Sequence, residues 1–531
     1  CESWLDEDPQ YTINTKTQFS TVENAKQALM GCYGYMSADN AYGQAWQEVT
    51  FGYCGFGWSQ TNGSSTDLLV SMDGGIDETI NTMAWRGMYK VIGETNAFIA
   101  NIADSPLESA DKLPMEAAAR FLRALAYYNL AVTYGDVPLK TTPSAHDGVA
   151  VPRSPKNEVF ELVRTDWEFA YENLPEKDDD GFATKWAAKA YLGKLYHTLG
   201  CQGDNTAWEK AKACFDEVMP KYRLADKFSD LFVDYVQGSP ESIFQLNFAL
   251  AGSTTRNRGS WLVAPNGSCN GQAWDRIRAS KALYDYFLAT YPGDPRIEST
   301  FLTYWKSYAG VGKGEKPKEE PIASARDTVY AYPYFTYTIG GEEKPAGWKK
   351  PKLYVGRIPY EKLADPASPK AEELYAMIAD TATATPAEKG YLKGLLSLLE
   401  NATKKPSTNT KSWPYFKKPW DPEQSGNNSH KNLILYRYAD MLLMAADVYN
   451  ELGQTDKAIT FANEVLKRAR QSGNASQPAD WRSGLSKEQV REKIYFERIF
   501  EGAGEPEMYQ KMYDACEQNG AQMAICSCRQ W

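Results

Sequence analysis

The chain has 531 residues, 43% of them hydrophobic and 24% charged, the balance of a folded globular protein long enough to bury a large core. Its formal net charge of −10 argues against a nucleic-acid partner, because a protein that neutralises phosphates needs a dominant basic field. No apolar run of about 18 residues offers a membrane-spanning helix, and the outlying feature is aromatic content, with 15 Trp, 34 Tyr and 20 Phe.

The first segment, Cys1-Glu2-Ser3-Trp4-Leu5-Asp6-Glu7-Asp8-Pro9, has the look of a cleaved bacterial lipoprotein, in which the thiol of Cys1 carries the lipid and acyl chains hold the molecule on a membrane. Residues 1–19 are therefore expected to form a polar tether that Trp4 anchors. Ser20-Thr21-Val22-Glu23 reads as a capping box opening a helix with Val22, Ala25, Ala28, Leu29 and Cys32 on one face. Residues 82–103 predict a second helix and Ala117 to Tyr134 a third. Ser154-Pro155 places an N-cap and an N1 proline before a fourth. Two more are expected at 183–200 and 207–220. Leu192, Gly193 and Tyr196 on one and Ala211, Phe215 and Val218 on the other give this pair tetratricopeptide-like packing chemistry. A second such pair is expected at 433–452 and 455–472. Between them, about 231–430 is rich in Gly, Pro, Asn, Lys and Tyr. Segments such as Tyr330-Ala331-Tyr332-Pro333-Tyr334 suit short strands and loops, with a helix only from Thr385-Pro386 to about Leu399. The expectation is a mainly α protein: one domain over 20–531, with helical repeats at about 20–230 and 431–515 around a loop-rich insertion.

Little in the chain suggests catalysis. His146, His197 and His430 lie apart without metal-ligand spacing, and GxSxG, HExxH and phosphate-binding glycine loops are missing. Cys32, Cys54, Cys201, Cys214, Cys269, Cys516, Cys526 and Cys528 describe neither a disulfide scaffold nor a zinc site, so most are expected as free buried thiols, with Cys526 and Cys528 open to pairing with a distant partner. No cofactor and no metal are expected.

Four segments resemble the SusD/RagB family of outer-membrane lipoproteins from Bacteroidetes nutrient-uptake systems. They are Arg120 to Leu130 followed by Tyr134-Gly135-Asp136-Val137-Pro138-Leu139; the run from Arg153 through Asp166 and Leu174-Pro175 to Ala188; Leu435-Tyr436-Arg437-Tyr438-Ala439-Asp440 with Asn450-Glu451-Leu452-Gly453; and Ile494-Tyr495-Phe496-Glu497-Arg498 with Glu501-Gly502. Where the family continues with Arg and an aromatic, this chain has Ala503-Gly504-Glu505-Pro506, so local differences in C-terminal helix packing are expected. Arg123, Arg437, Asp440 and Glu497 fall on apolar helices and are read as polar clamps between helices, since unpaired charge is rarely buried. Trp85 and Trp186, at helical spacing, are read as core.

Sugar binding needs flat aromatic faces beside hydroxyl-binding side chains. Two loop regions carry that mixture. Gln44 to Asp73 holds Trp46, Tyr53, Phe56 and Trp58 among glycines, then Asn62; Ser260 to Arg278 holds Trp261, Asn266, Asn270, Gln272, Trp274 and Arg276. The resemblance implies ligand contacts from the same two zones, though binding residues vary within the family. Trp58, Trp274, Trp261, Trp46, Asn62 and Asn266 are the ligand-binding candidates; Trp305, Trp348, Trp413 and Trp420 rank below them. Lys349, Lys350, Lys352, Lys404, Lys405, Lys417 and Lys418 are read as solvated. The resemblance further implies a non-catalytic, cell-surface, lipid-anchored glycan-binding protein of the outer membrane. It would deliver oligosaccharide or polysaccharide to a SusC-like TonB-dependent transporter. A peptide-binding member of the family and a glycoside hydrolase are the alternatives.

Overall fold

The computed structural model describes residues 18–59, 69, 79–143, 151–178, 181–233, 238–248, 256–265, 267–269, 272–306, 328–331, 334–339, 354–359, 414–507, 510 and 514. Residues 1–17 of the expected tether, with Cys1, the helix expected from Thr385 and Cys516, Cys526 and Cys528 lie outside the described residues, whereas Phe19, at the tether's end, is buried in the core with its ring 5.4 Å from Phe98.

The protein is mainly helical. In the first half run α1 (Val22–Met36), α2 (Ala45–Tyr53), α3 (Thr79–Ala103), α4 (Ser109–Tyr134), α5 (Lys156–Asn173), α6 (Lys185–Cys201) and α7 (Ala207–Val218). From α3 onwards each helix packs on the next, and α1 packs on both α3 and α4. The short helices α8 (Gly259–Val263), α9 (Lys281–Thr290) and α10 (Pro295–Thr300) follow, then α11 (Tyr438–Glu451), α12 (Thr455–Gln471) and α13 (Lys487–Gly502). Helix α11 packs on α12 and α13 and also returns to α7, which closes the two helical regions onto one core. Among the described residues no helix is long and apolar enough to cross a membrane.

The strands are short and pair antiparallel in twos: β1 (Gly57–Ser59) with β5 (Ile277–Ala279), β2 (Val137–Pro138) with β3 (Arg153–Ser154), and β4 (Ser242–Leu246) with β12 (Leu433–Arg437). The remaining pairs are β6 (Phe301–Leu302) with β11 (Tyr415–Phe416), β7 (Tyr304–Lys306) with β8 (Thr328–Tyr330), and β9 (Tyr334–Ile339) with β10 (Tyr354–Pro359).

Three boundaries differ from expectation. The cap of α1 is Thr21 rather than Ser20, its hydroxyl accepting from the Asn24 amide at 3.2 Å. Ser154 belongs to β3, so α5 starts at Lys156. Leu433–Arg437, expected as helix, is a strand, because a short apolar run suits either state and β4 supplies a partner ladder. The repeat chemistry holds. A Cβ on Gly193 would stand 2.4 Å from Phe215 Cε1, and one on Gly200 would stand 2.6 Å from Trp208 Cδ2, so hydrogen at both sites lets α6 and α7 touch.

A tighter approach occurs at Gly87 on α3, where a Cβ would sit 1.9 Å from the backbone oxygen of Asn40. Backbone cannot swing aside as a side-chain tip does. Gly87→Ala is therefore expected to cost about 1–3 kcal/mol or more from overpacking, outweighing the roughly 1 kcal/mol that alanine gains in helix propensity. The check is the urea midpoint; a midpoint at or above wild type would show that the segment around Asn40 yields freely.

The charged motif residues are clamps. Arg123 holds Asp166 through Nε at 2.7 Å and Nη2 at 2.8 Å, and Nη1 donates to Asn96 at 2.8 Å. Arg437 does not pair with Asp440, which takes Arg498 Nε at 3.3 Å. Instead Arg437 donates Nη1 to Glu241 at 2.6 Å and to Glu501 at 2.9 Å, and Nε and Nη2 to the two oxygens of Glu505, each at 2.8 Å. Arg468 bridges Glu241 and Glu501, while Arg296 grips Asp294, Glu497 and Glu501. Lys418 is a further correction. It is buried, not solvated, and its Nζ donates to Glu505 at 2.5 Å and to the Glu501 carbonyl at 2.7 Å. Burial raises the Glu501 carboxyl, but Arg468, Arg437 and Arg296 together hold it well below the usual carboxylate range. Gly504, at φ +80°, turns the chain after α13 so that Glu505 meets Arg437. The departure Ala503-Gly504-Glu505-Pro506 therefore supplies an anion to the network.

Candidate functional site

The two aromatic zones, far apart in sequence, meet through the β1–β5 ladder, in which Trp58 opposes Arg278. Around it, the Arg258 amide donates to the Gly43 carbonyl at 2.8 Å, and the Ser280 amide donates to the Phe56 carbonyl at 2.8 Å. Arg258 also reaches Gln44 at 2.7 Å and Asp39 at 3.1 Å, and Gln47 donates to Asn257 at 3.1 Å. A second small core (Phe51, Phe56, Leu262, Ile277, Phe287, Phe416 and Phe500 among its members) supports this ladder.

On that support stands an aromatic stack. The rings of Trp261, on α8, and Trp274 lie 4.0 Å apart at 20°, and the Trp274 amide donates to the Trp261 carbonyl at 2.7 Å. Arg276 places its guanidinium carbon 3.6 Å from the Trp274 ring centre. At those separations both neighbours cannot occupy one face, so Trp274 is sandwiched and keeps 36% of its surface open. Arg276 reaches buried Glu48 at 3.5 Å. Asp275, between the two, adopts φ +52°, an uncommon conformation for a residue with a side chain. It is tied to Arg278 at 2.7 Å and receives the Tyr415 hydroxyl at 3.4 Å. Burial pushes its carboxyl up to about 6, against the pull of Arg278.

The structure sorts the sequence candidates. Trp261 and Trp274 stack on each other, Trp274 lying three residues before β5, while Trp58 lies in the β1–β5 ladder with the Arg278 guanidinium 5.4 Å from its ring. Trp46 is core instead, 2% exposed and packed against Tyr42, because the segment Ala45–Tyr53 forms helix α2 in spite of its glycine. Trp58 likewise sits in a strand rather than a loop. Asn62 and Asn266 lie outside the described residues, as do Trp348 and Trp413. Trp305 is buried against Tyr415, and Trp420 donates to Ser268 at 3.1 Å. Trp85 and Trp186 pack on the core as expected. Missed were Arg258, Asp275, Arg278 and Tyr415, whose roles depend on contacts across the fold. The run of positive and aromatic residues at 274–278 was the only available signal.

A family model described as "Starch-binding associating with outer membrane" matches residues 3–197, and the model of the SusD family matches residues 240–512. SusD-like protein P25 of Formosa agariphila is 23% identical over 531 residues, covering 95% of this chain and 85% of that protein. A SusD homolog from Bacteroides thetaiotaomicron shares the fold at a TM-score of 0.70 and 17% identity, over 96% of this chain and 90% of that one. A laminarin-binding SusD-like protein does so at 0.64 and 19%, over 96% and 94%. The helical core, the paired motif helices and a family model spanning just over half its length agree: the chain belongs to the SusD family.

Proposed function

We propose that this protein is a non-catalytic glycan-binding lipoprotein of the outer-membrane surface. It captures oligosaccharide or polysaccharide at the Trp58–Trp261–Trp274 cluster and delivers it to a SusC-like TonB-dependent transporter. Cys1 carries the lipid anchor in this reading, and the helical body closes over the transporter as a lid. The observation that carries it is the Trp261–Trp274 stack, in which Trp274 stays 36% exposed, on a segment that runs directly into the β1–β5 ladder holding Trp58. Membership of the SusD family and the laminarin-binding relative of the same fold add support. An indole face beside Arg side chains suits a sugar's C–H face and hydroxyls. Arg276 occupies the outer face of Trp274, so a sugar stacking there displaces its guanidinium.

The test is a glycan and peptide array probed with the soluble body, followed by titration of the best ligand against Trp58→Ala and Trp274→Ala. Loss of a stacked ring is expected to cost about 1–3 kcal/mol, a roughly ten- to hundredfold weaker affinity at unchanged melting temperature. Binding is expected to change little with salt, because stacking and hydroxyl contacts carry no net charge. Array signal on peptides alone, wild-type affinity in both variants, or collapse in moderate salt would each refute the aromatic-platform reading.

A further inference from the structure

His197 and Cys201 lie one turn apart on α6, the spacing that brings two side chains to one face of a helix. Both are buried, and Asp514, from the far end of the chain, is buried against them. His197 Nδ1 stands 3.7 Å from Asp514 Oδ2 and 3.8 Å from Cys201 Sγ, and the donor atoms of the three residues all fall within 4.8 Å of one another. The other ring nitrogen is committed elsewhere: Nε2 is 2.8 Å from Asp447 Oδ2. With Nε2–H donating to Asp447, Nδ1 keeps its lone pair for the cluster, which is how a carboxylate orders a metal-bound histidine from outside.

Beyond the Arg498 guanidinium already present, two further kinds of cation would suit these acidic surroundings, a proton on Nδ1 or a metal ion. Distance separates them. An imidazolium N–H facing a buried carboxylate closes to about 2.7–2.9 Å, well short of the gap seen here. Zinc bonds of about 2.0–2.3 Å at tetrahedral angles instead hold their donors about 3.3–3.8 Å apart. Asp514 is held by its other oxygen, which receives Gln510 Nε2 at 2.7 Å and the Thr198 hydroxyl at 3.2 Å. Its Oδ2 faces His197 and also Arg498 Nη1 at 3.3 Å, a guanidinium that offsets part of the anionic charge.

The geometry points to a buried zinc site formed by His197 Nδ1, Cys201 Sγ and Asp514 Oδ2, with the fourth tetrahedral position taken by water and Asp447 as the residue that positions the imidazole. The sulfur lies 4.0 Å from Nε2, beside the ring, so coordination turns it towards Nδ1 by rotation about the Cys201 Cα–Cβ bond. The ion takes the thiolate, the thiol proton passes to solvent and no electrons move. Because every donor is buried, the ion enters as the protein folds and ties α6 to the C-terminal segment. The site is independent of the glycan reading.

The test uses the full chain without a histidine tag, produced in medium supplemented with zinc or with cobalt. About one metal per chain is expected after dialysis against a chelator, with a thiolate-to-cobalt absorption band in the cobalt form. Cys201→Ala should lose both the retained metal and the band. X-ray absorption on the wild type, which needs no variant to fold, should show one sulfur beside nitrogen and oxygen neighbours. Metal-free wild type, metal retained equally by Cys201→Ala, or a zinc shell without sulfur would overturn the site and leave His197 as an ordinary buried partner of Asp447.

Discussion

Arg437→Ala is expected to destabilise the protein by about 3–5 kcal/mol, because the change removes one cation from a buried network and leaves its anions behind. Arg437 is 2% exposed and satisfies carboxylate oxygens on Glu241, Glu501 and Glu505 and the Glu501 carbonyl besides. Those partners come from the segment before β4, the end of α13 and the turn beyond it, so the guanidinium stitches three stretches of chain at once. Neighbouring Arg468, Arg296 and Lys418 cannot move in to compensate, since each is already engaged with the same acidic residues. Chemical unfolding should show the loss, while ligand affinity measured below the transition stays near wild type. A variant that melts normally but binds poorly would mean that a strut has been mistaken for a site.

The second large effect belongs to pH. Burial pushes the Lys418 ammonium down from 10.5 to about 8, although Glu505 pulls the other way. The sign follows from proton counts. Between those two values the unfolded chain holds a proton on this lysine that the native chain has shed, so native stability rises as pH climbs through that window. Below about pH 8 both states are protonated and the full desolvation cost is present. Relative to Lys418→Met, which has no such group, wild type should gain up to about 3 kcal/mol between about pH 7.5 and about pH 10. Urea unfolding of both proteins at the two pH values measures it. A flat difference would show that water reaches the ammonium; a difference of opposite sign would show that Glu505 outweighs burial.

Most helices were legible because their signals are local. Hydrophobic spacing marks α1, α3 and α4, and the small residues of the α6–α7 pair announce a close helix contact that Gly193 and Phe215 make. The same periodicity misassigned Leu433–Arg437, where five residues cannot distinguish a buried strand from a helix until β4 is beside them. Trp46 was misplaced for a related reason: glycines at 52 and 55 suggested a loop, but packing of Trp46 and Val49 in the core outweighs the propensity penalty of one helical glycine.

What the amino-acid sequence by itself determined is the class of the protein, its helical frame, its family and the two segments that hold the aromatic cluster. Each of these rests on residues near one another along the chain, or on motif order. Tertiary structure alone decided which charges face which. Arg437 takes Glu241, Glu501 and Glu505 while Asp440, three residues from it, goes to Arg498, because a buried charge selects the partner that the fold presents rather than the nearest one in the chain. It also decided that Trp261 and Trp274 stack with Arg276 on the outer face, an arrangement set by the β1–β5 ladder and the left-handed turn at Asp275. Side-chain orientation across such a contact depends on backbone direction in both segments, which no one-dimensional pattern carries.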